Sequence, residues 1–370
     1  MGRLVISHAF RRRIAGAVLL LCGFYNSCLQ VSNLQLQAST TTSNISRTEA
    51  AIPALIVKDP ALVARSLTVP AINSYMDGQE VVPAHFLAVL NEQGDCLLPG
   101  KSFCTGYRNA RQDLHVDQSI MTVLRGSCTP TMHVWDFGGN VGYYTLFMRA
   151  MGCHVTTVEP QPSMNKFHKD SLGANGWDKD GSVVLHEKGV SDVAGTIKLE
   201  KLWQPGNRNA GQMEVETVTI AELAKDVPGG VVEMLKLDID GPELFTLRGI
   251  LACGESLNVK NIIAELSVSY WRKPFGFERD TILDLFHKYF ESGYRMVLVM
   301  ESEFLKYPAA TLSKLHEVRN YGELVHGYDI PRALIGEVLF MANSATKNIF
   351  MTKDPARIAK LDACRLLVDE

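Results

Sequence analysis

From Thr131 onward, short apolar runs alternate with segments of helical period, and this limits the possible folds more than any other feature of the sequence. His133–Phe137, His154–Val158, Val183–Leu185, Met234–Ile239, Ile262–Leu266, Met296–Met300 and Val338–Met341 read as strands. Tyr143–Met151, Pro162–Ala174, Glu243–Ala252 and Arg279–Glu291 read as helices between them. Strands that are apolar along nearly their whole length are covered on both faces, which is the habit of parallel sheets. The expected class is therefore α/β, a mostly parallel sheet with helices on both faces. Thr196–Leu199 and Val215–Val218 fit short strands or hairpin pieces. Thr219–Lys225 fits a short helix, with Thr219 and Glu222 at capping-box spacing. Within the less regular stretch 50–130, Ala84–Leu90 and Val116–Leu124 are expected to be helical.

The chain has 370 residues, 46% of them hydrophobic and 21% charged, with a formal charge of −3. This is globular composition, and long apolar stretches are missing beyond the N-terminus, which excludes a polytopic membrane protein. The acidic balance disfavours a nucleic-acid partner, since grip on phosphates needs a basic excess. Arg11-Arg12-Arg13 precedes an apolar run, Ile14–Tyr25. Basic flank followed by apolar run is the pattern of a signal peptide or signal anchor. Either reading places the bulk of the chain in a lumen or outside the cell. The expectation is a single-pass protein of the endoplasmic reticulum or Golgi with a lumenal catalytic domain, or a secreted one after cleavage. A polar stem follows, with an N-glycosylation sequon at Asn44-Ile45-Ser46. The eight cysteines form no Cys-x-x-Cys pair, so no structural zinc is expected. Cys96 and Cys104 flank a turn and could pair in an oxidising lumen, while Cys153 and Cys253 read as small hydrophobes.

Two motifs carry chemistry. Val134-Trp135-Asp136-Phe137-Gly138-Gly139-Asn140-Val141-Gly142 follows a strand and opens a helix, where a glycine-rich turn lets backbone approach a ligand closely. The second strand ends at Glu159, where an acid can bond the hydroxyls of a ribose. Leu235-Lys236-Leu237-Asp238-Ile239-Asp240-Gly241-Pro242-Glu243 places three acids at the end of another strand. Asp238 and Asp240 share a side if that strand continues. Glu243 suits a helix start as well as it suits chemistry. Glu265, on the strand Ile262–Leu266, is a further strand-end acid.

The order D-x-G-x-N-x-G, Val158-Glu159-Pro160, Val190-Ser191-Asp192, Lys236-Leu237-Asp238-Ile239-Asp240-Gly241-Pro242-Glu243 and then Glu265 resembles the FkbM-type family of S-adenosylmethionine-dependent methyltransferases. The resemblance covers about Thr131 to Met300. It implies a class I methyltransferase, Rossmann-like fold. Asp136, Gly138, Asn140 and Gly142 would surround the methionine part of S-adenosylmethionine, Glu159 would hold the ribose, and Ser191 and Asp192 would lie near the adenine. Asp238 would sit closest to the reacting methyl group; since a carboxylate near the acceptor can take its proton, Asp238 is the expected catalytic base, with Asp240 as alternative base or orienting group. Glu243 and Glu265 would face the acceptor, a hydroxyl on a sugar, glycan or other small molecule. The implied domains are a signal segment at 1–31, a stem at 32–60, an extension at 61–130, a methyltransferase domain at 131–345 and a tail at 346–370. The rival reading is a lumenal glycosyltransferase that uses Asp238-Ile239-Asp240 to hold a metal and a nucleotide sugar.

Overall fold

The computed structural model describes residues 64–68, 85–89, 120, 123–124, 127–200, 212–266, 268–272, 275–300, 307–318, 327–341 and 346–366. The apolar segment Ile14–Tyr25, the sequon and the Cys96–Cys104 turn lie outside them. Among the described residues, no helix is long and apolar enough to cross a membrane.

Strands β1 (Ala64–Thr68) and β2 (His85–Val89) form an antiparallel ribbon, so within the stretch expected to be helical, 84–90, residues His85–Val89 are extended. Alternating helical and extended periods cannot be told apart over so few residues, and pairing with β1 decides the outcome. Ile120, Val123 and Leu124 are helical and buried, as expected there.

The domain then runs β3 (His133–Phe137), α1 (Tyr143–Ala150), β4 (His154–Val158), α2 (Pro162–Asn175) and β5 (Val183–His186). A side sheet follows: β6 (Gly189–Ser191), β7 (Gly195–Glu200) and β8 (Gln212–Thr219), in the order β6-β8-β7. Helix α3 (Ile220–Leu223) starts with the expected capping box, Thr219 Oγ1 accepting from the Glu222 amide and the Glu222 carboxylate accepting from the Thr219 amide. Two short strands come next, β9 (Val231–Val232) and β10 (Met234–Leu237), followed by α4 (Glu243–Ala252). Then come β11 (Asn258–Val259), β12 (Asn261–Leu266), α5 (Val268–Arg272), α6 (Arg279–Glu291) and β13 (Arg295–Val299). The chain continues with α7 (Ala309–Leu312), β14 (His316–Val318), β15 (Gly327–Asp329), α8 (Ile335–Leu339), β16 (Lys347–Thr352) and α9 (Pro355–Leu366).

Among the described residues, the main sheet has nine strands in the order β14-β15-β13-β16-β12-β10-β3-β4-β5. From β12 to β5 every pairing is parallel, while β16 runs antiparallel between β12 and β13. The fold is the class I methyltransferase type that the resemblance implied. Apolar side chains cover both faces. Trp135, Leu235, Leu237 and Ala264 pack with Leu244 and Leu247 of α4 and Phe286 of α6 on one side. Val134, Met234, Ile263 and Phe350 pack with Leu146 and Phe147 of α1 and Leu361 of α9 on the other.

Three expectations are corrected. Val338–Met341 is not a strand: α8 covers Ile335–Leu339, a single amphipathic turn whose Ile335, Val338 and Leu339 are buried. Residues 346–370 are not merely a tail, because they contribute the interior strand β16, buried along its length, and helix α9. Cys153 is not simply a small hydrophobe; it pairs with Cys128, Cα–Cα 5.3 Å, tying the segment before β3 to the start of β4.

Candidate active site

Parallel pairing brings the carboxyl ends of β3, β4, β10 and β12 to one edge, where the turns after β3 and β10 meet. The amides of Gly138 and Gly139 both donate to the Val158 carbonyl, at 2.9 and 3.1 Å, so the turn is fastened to the end of β4. The Asp238 amide donates to the Phe137 carbonyl at 3.0 Å, which carries the β10 loop alongside. Gly138 has φ +81, and a Cβ there would lie 1.7 Å from the Asp238 carbonyl oxygen. Asn140, also left-handed at φ 50, turns the chain and accepts from the Val141 amide at 2.8 Å. Asparagine tolerates this conformation better than most residues. At Gly142, φ +93, a Cβ would lie 2.6 Å from the buried His168 ring. Gly142 is the N-cap of α1 and supplies no capping side chain.

Glu159 ends β4. Its Oε2 accepts from the Asn140 amide at 2.9 Å and its Oε1 from the Gln161 amide at 2.8 Å. Burial raises its pKa to about 7 despite those two amides. The acid thus holds the glycine turn from below and keeps lone pairs for a further donor.

The second half of the edge is a charge cluster. Lys236 on β10 is the register partner of Asp136 on β3. Its Nζ lies 3.1 Å from Asp238 Oδ2, 3.8 Å from Asp136 Oδ1 and 4.9 Å from the Tyr144 ring centre. It also donates to the Gly138 carbonyl at 3.2 Å. The side chain of Asp136 is 1% exposed and that of Lys236 4%, whereas that of Asp238 is 35% exposed. Burial raises the pKa of Asp136, partly offset by Lys236 and by the Thr145 hydroxyl, which donates to its Oδ2 at 2.6 Å. Burial works against the ammonium of Lys236, but Asp238, Asp136 and then Glu265 hold its pKa above the usual lysine value.

The other expected residues divide. β10 ends at Leu237, so the alternation that would set Asp238 and Asp240 side by side does not extend to them. Asp240 instead adopts φ 53, and burial followed by the nearby Asp238 raises its pKa. Leu237 pairs with Ala264, which puts Asp238 and Glu265 at the same level of the sheet, with Asn348 opposite Glu265 on β16. Ser191 ends β6 in the side sheet, its hydroxyl 3.5 Å from the carboxylate of Asp192, and Asp192 pairs with Arg248 of α4.

Glu243 turns inward. It is fully buried, its Oε1 accepting from the Gly241 amide at 2.7 Å and its Oε2 from Trp271 Nε1 at 2.8 Å. Burial raises its pKa to about 7. The acid therefore locks the β10 loop to α5 rather than facing an acceptor. Glu243→Gln keeps the shape but loses one acceptor, and should lower unfolding free energy by about 1–3 kcal/mol in chemical denaturation. Trp271→Phe removes the same bond, so the two substitutions together should cost less than their sum.

Lys236, Thr145 and Asn348 were not singled out from sequence. A lone cation in the strand Met-Leu-Lys-Leu, two residues before an acid, was the available signal for Lys236.

Residues 136–296 match the sequence model of the Methyltransferase FkbM domain. The hexuronic acid methyltransferase AglP of Haloferax volcanii is 25% identical over 152 residues, which cover 40% of this chain. The chain spans 62% of that relative's length. Among solved structures, an S-adenosylmethionine-dependent O-methyltransferase of Thermotoga maritima is 15% identical with a TM-score of 0.32, covering 64% of each chain. The precorrin-6y C5,15-methyltransferase of Geobacter metallireducens is 12% identical with a TM-score of 0.31, covering 66% of this chain and 91% of its own.

Proposed function

We propose, from the FkbM methyltransferase domain carried by residues 136–296, that this protein methylates a hydroxyl oxygen of a sugar or glycan with S-adenosylmethionine as donor. The donor set fits that cofactor. A desolvated carboxylate at the end of β4, Glu159, suits a ribose diol, and the glycines of the turn 138–142 let that turn lie tightly against it. Ser191 and Asp192 are the candidates for the adenine side. When bound, the cofactor supplies an activated methyl group on a sulfonium. The chain's own task is to orient the acceptor and accept its proton. Asp238 suits that task, being the partly exposed carboxylate of the cluster with one oxygen fixed by Lys236. Asp240 is the alternative. The observation that carries the reading is the fastening of the Glu159-held turn to the Asp238 loop at one sheet edge. The sugar acceptor is supported by the relative from Haloferax volcanii.

Calorimetry with S-adenosylhomocysteine is the primary test, with nucleotide sugars plus manganese as the opposing arm for the glycosyltransferase reading. Methyl transfer from labelled donor to free uronic acids, oligosaccharides and extracted glycans then identifies the acceptor. Binding of the nucleotide sugar, and none of the thioether, would reverse the assignment. A ribose diol donates to the ionised carboxylate better than to the acid. Affinity for S-adenosylhomocysteine should therefore rise with pH through about 7. Glu159→Gln should weaken binding and flatten that dependence.

The same reading puts the domain in a lumen or outside the cell. The apolar run, the sequon and the Cys128–Cys153 pair support it, because such pairs persist in oxidising compartments. Peptides holding Cys128 and Cys153 should be linked in mass spectra of protein prepared without reductant. Free thiols at both positions would count against this compartment.

A further inference from the structure

A lysine with 4% of its side chain exposed is retained in a sheet only where its charge is met. Asp136, its register partner on β3, would suffice as a counter-ion. Yet that contact, at 3.8 Å, is the longest of the three that Nζ makes to oxygen. The two shorter ones go elsewhere, to the Gly138 carbonyl at 3.2 Å and to Asp238 Oδ2 at 3.1 Å. Gly138 opens the turn held by Glu159, and Asp238 is the carboxylate that reaches solvent. The Tyr144 ring, from the first turn of α1, lies 4.9 Å from the ammonium. One buried group therefore touches the β3 turn, the β10 loop and α1 at once.

We propose that Lys236 is a positioning residue that joins the two halves of the site, fixing the Gly138 peptide and the Asp238 carboxylate together so that order in the turn is passed to the carboxylate. The naming of the halves as donor side and acceptor side rests on the function proposed above; the mechanical link does not. Because an ammonium donates in three directions, displacement of the turn withdraws a donor that orients Asp238, and settling of the turn restores it.

The test uses the full chain and S-adenosylhomocysteine as probe. Lys236→Met leaves Asp136 buried without its cation and can unfold the domain, so Asp136→Asn/Lys236→Met, which removes both charges, is made beside it. Lys236→Arg keeps the cation. Calorimetry should show the double variant binding the thioether about tenfold more weakly than Asp136→Asn alone, the loss expected for one charge-assisted bond. Hydrogen exchange is followed on peptides spanning 136–142 and 236–243, with the 347–352 strand as reference. In the wild type the thioether should slow exchange in both peptides. In the double variant, protection should remain confined to 136–142, and without ligand both peptides should exchange about tenfold faster than in the wild type while the reference is unchanged. Lys236→Arg should restore part of the transmitted protection. Protection that still reaches 236–243 in the double variant overturns the proposal, as does faster exchange that is uniform across all three peptides. If the wild type itself fails to bind the thioether, the proposed function fails, and the comparison of unliganded variants still decides the link.

Discussion

Gly138→Ala should abolish measurable binding of S-adenosylhomocysteine and lower unfolding free energy by about 2 kcal/mol or more. The added Cβ would lie 1.7 Å from the Asp238 carbonyl oxygen and 2.8 Å from its carbon, both backbone atoms that cannot rotate away. The backbone is also left-handed there, at φ +81, which costs an alanine roughly 1–2 kcal/mol before any clash. Relief by movement is closed off on three sides. Gly138 and Gly139 donate to the Val158 carbonyl, Asp238 donates to the Phe137 carbonyl, and Lys236 donates to the Gly138 carbonyl. The substitution must push the two turns apart, and the turn held by Glu159 is the one proposed to meet the donor. Circular dichroism and a thioether titration check both halves of this expectation. A folded Gly138→Ala protein with wild-type affinity would mean that the donor does not depend on this turn.

Asp238→Asn should reduce turnover by roughly 10²–10⁴-fold, the range for a lost general base, while leaving thioether affinity within about threefold. The amide keeps the shape and still offers Lys236 an oxygen, so the cluster stays assembled. What it loses is the capacity to accept a proton. Asp136 cannot substitute, because it is sealed beneath the sheet edge and bonded to Thr145. Asp240→Asn is the informative companion. Asparagine tolerates the φ of 53 that Asp240 adopts, so the backbone is undisturbed and any loss reports the carboxylate itself. Single-turnover methyl transfer to the best acceptor from the screen separates the two. A larger loss at Asp240 than at Asp238 would exchange their roles, and full turnover in both variants would remove proton acceptance by either.

The readings that held and those that failed separate by the range of the interactions behind them. His133–Phe137, His154–Val158 and α4 were legible because apolar runs, glycines and helix starts act within a few residues. The Thr219 capping box was legible for the same reason. Lys347–Thr352 was not, since its six residues lack a clear alternation and become an interior strand only by lying between β12 and β13. Glu243 looked from sequence like a helix-start acid open to an acceptor. Trp271, 28 residues further on, turns it into a buried tie.

By itself, the sequence determined the parallel α/β plan and the positions where only glycine or asparagine can turn the chain, because strand burial on both faces and backbone sterics are written locally. Only the tertiary structure decided that Lys236, Asp136 and Asp238 form one cluster, that Asp240 departs from the strand, and that Cys128 meets Cys153. Those outcomes depend on register between strands distant in sequence and on how much water each charge loses, and neither quantity exists until the sheet has closed.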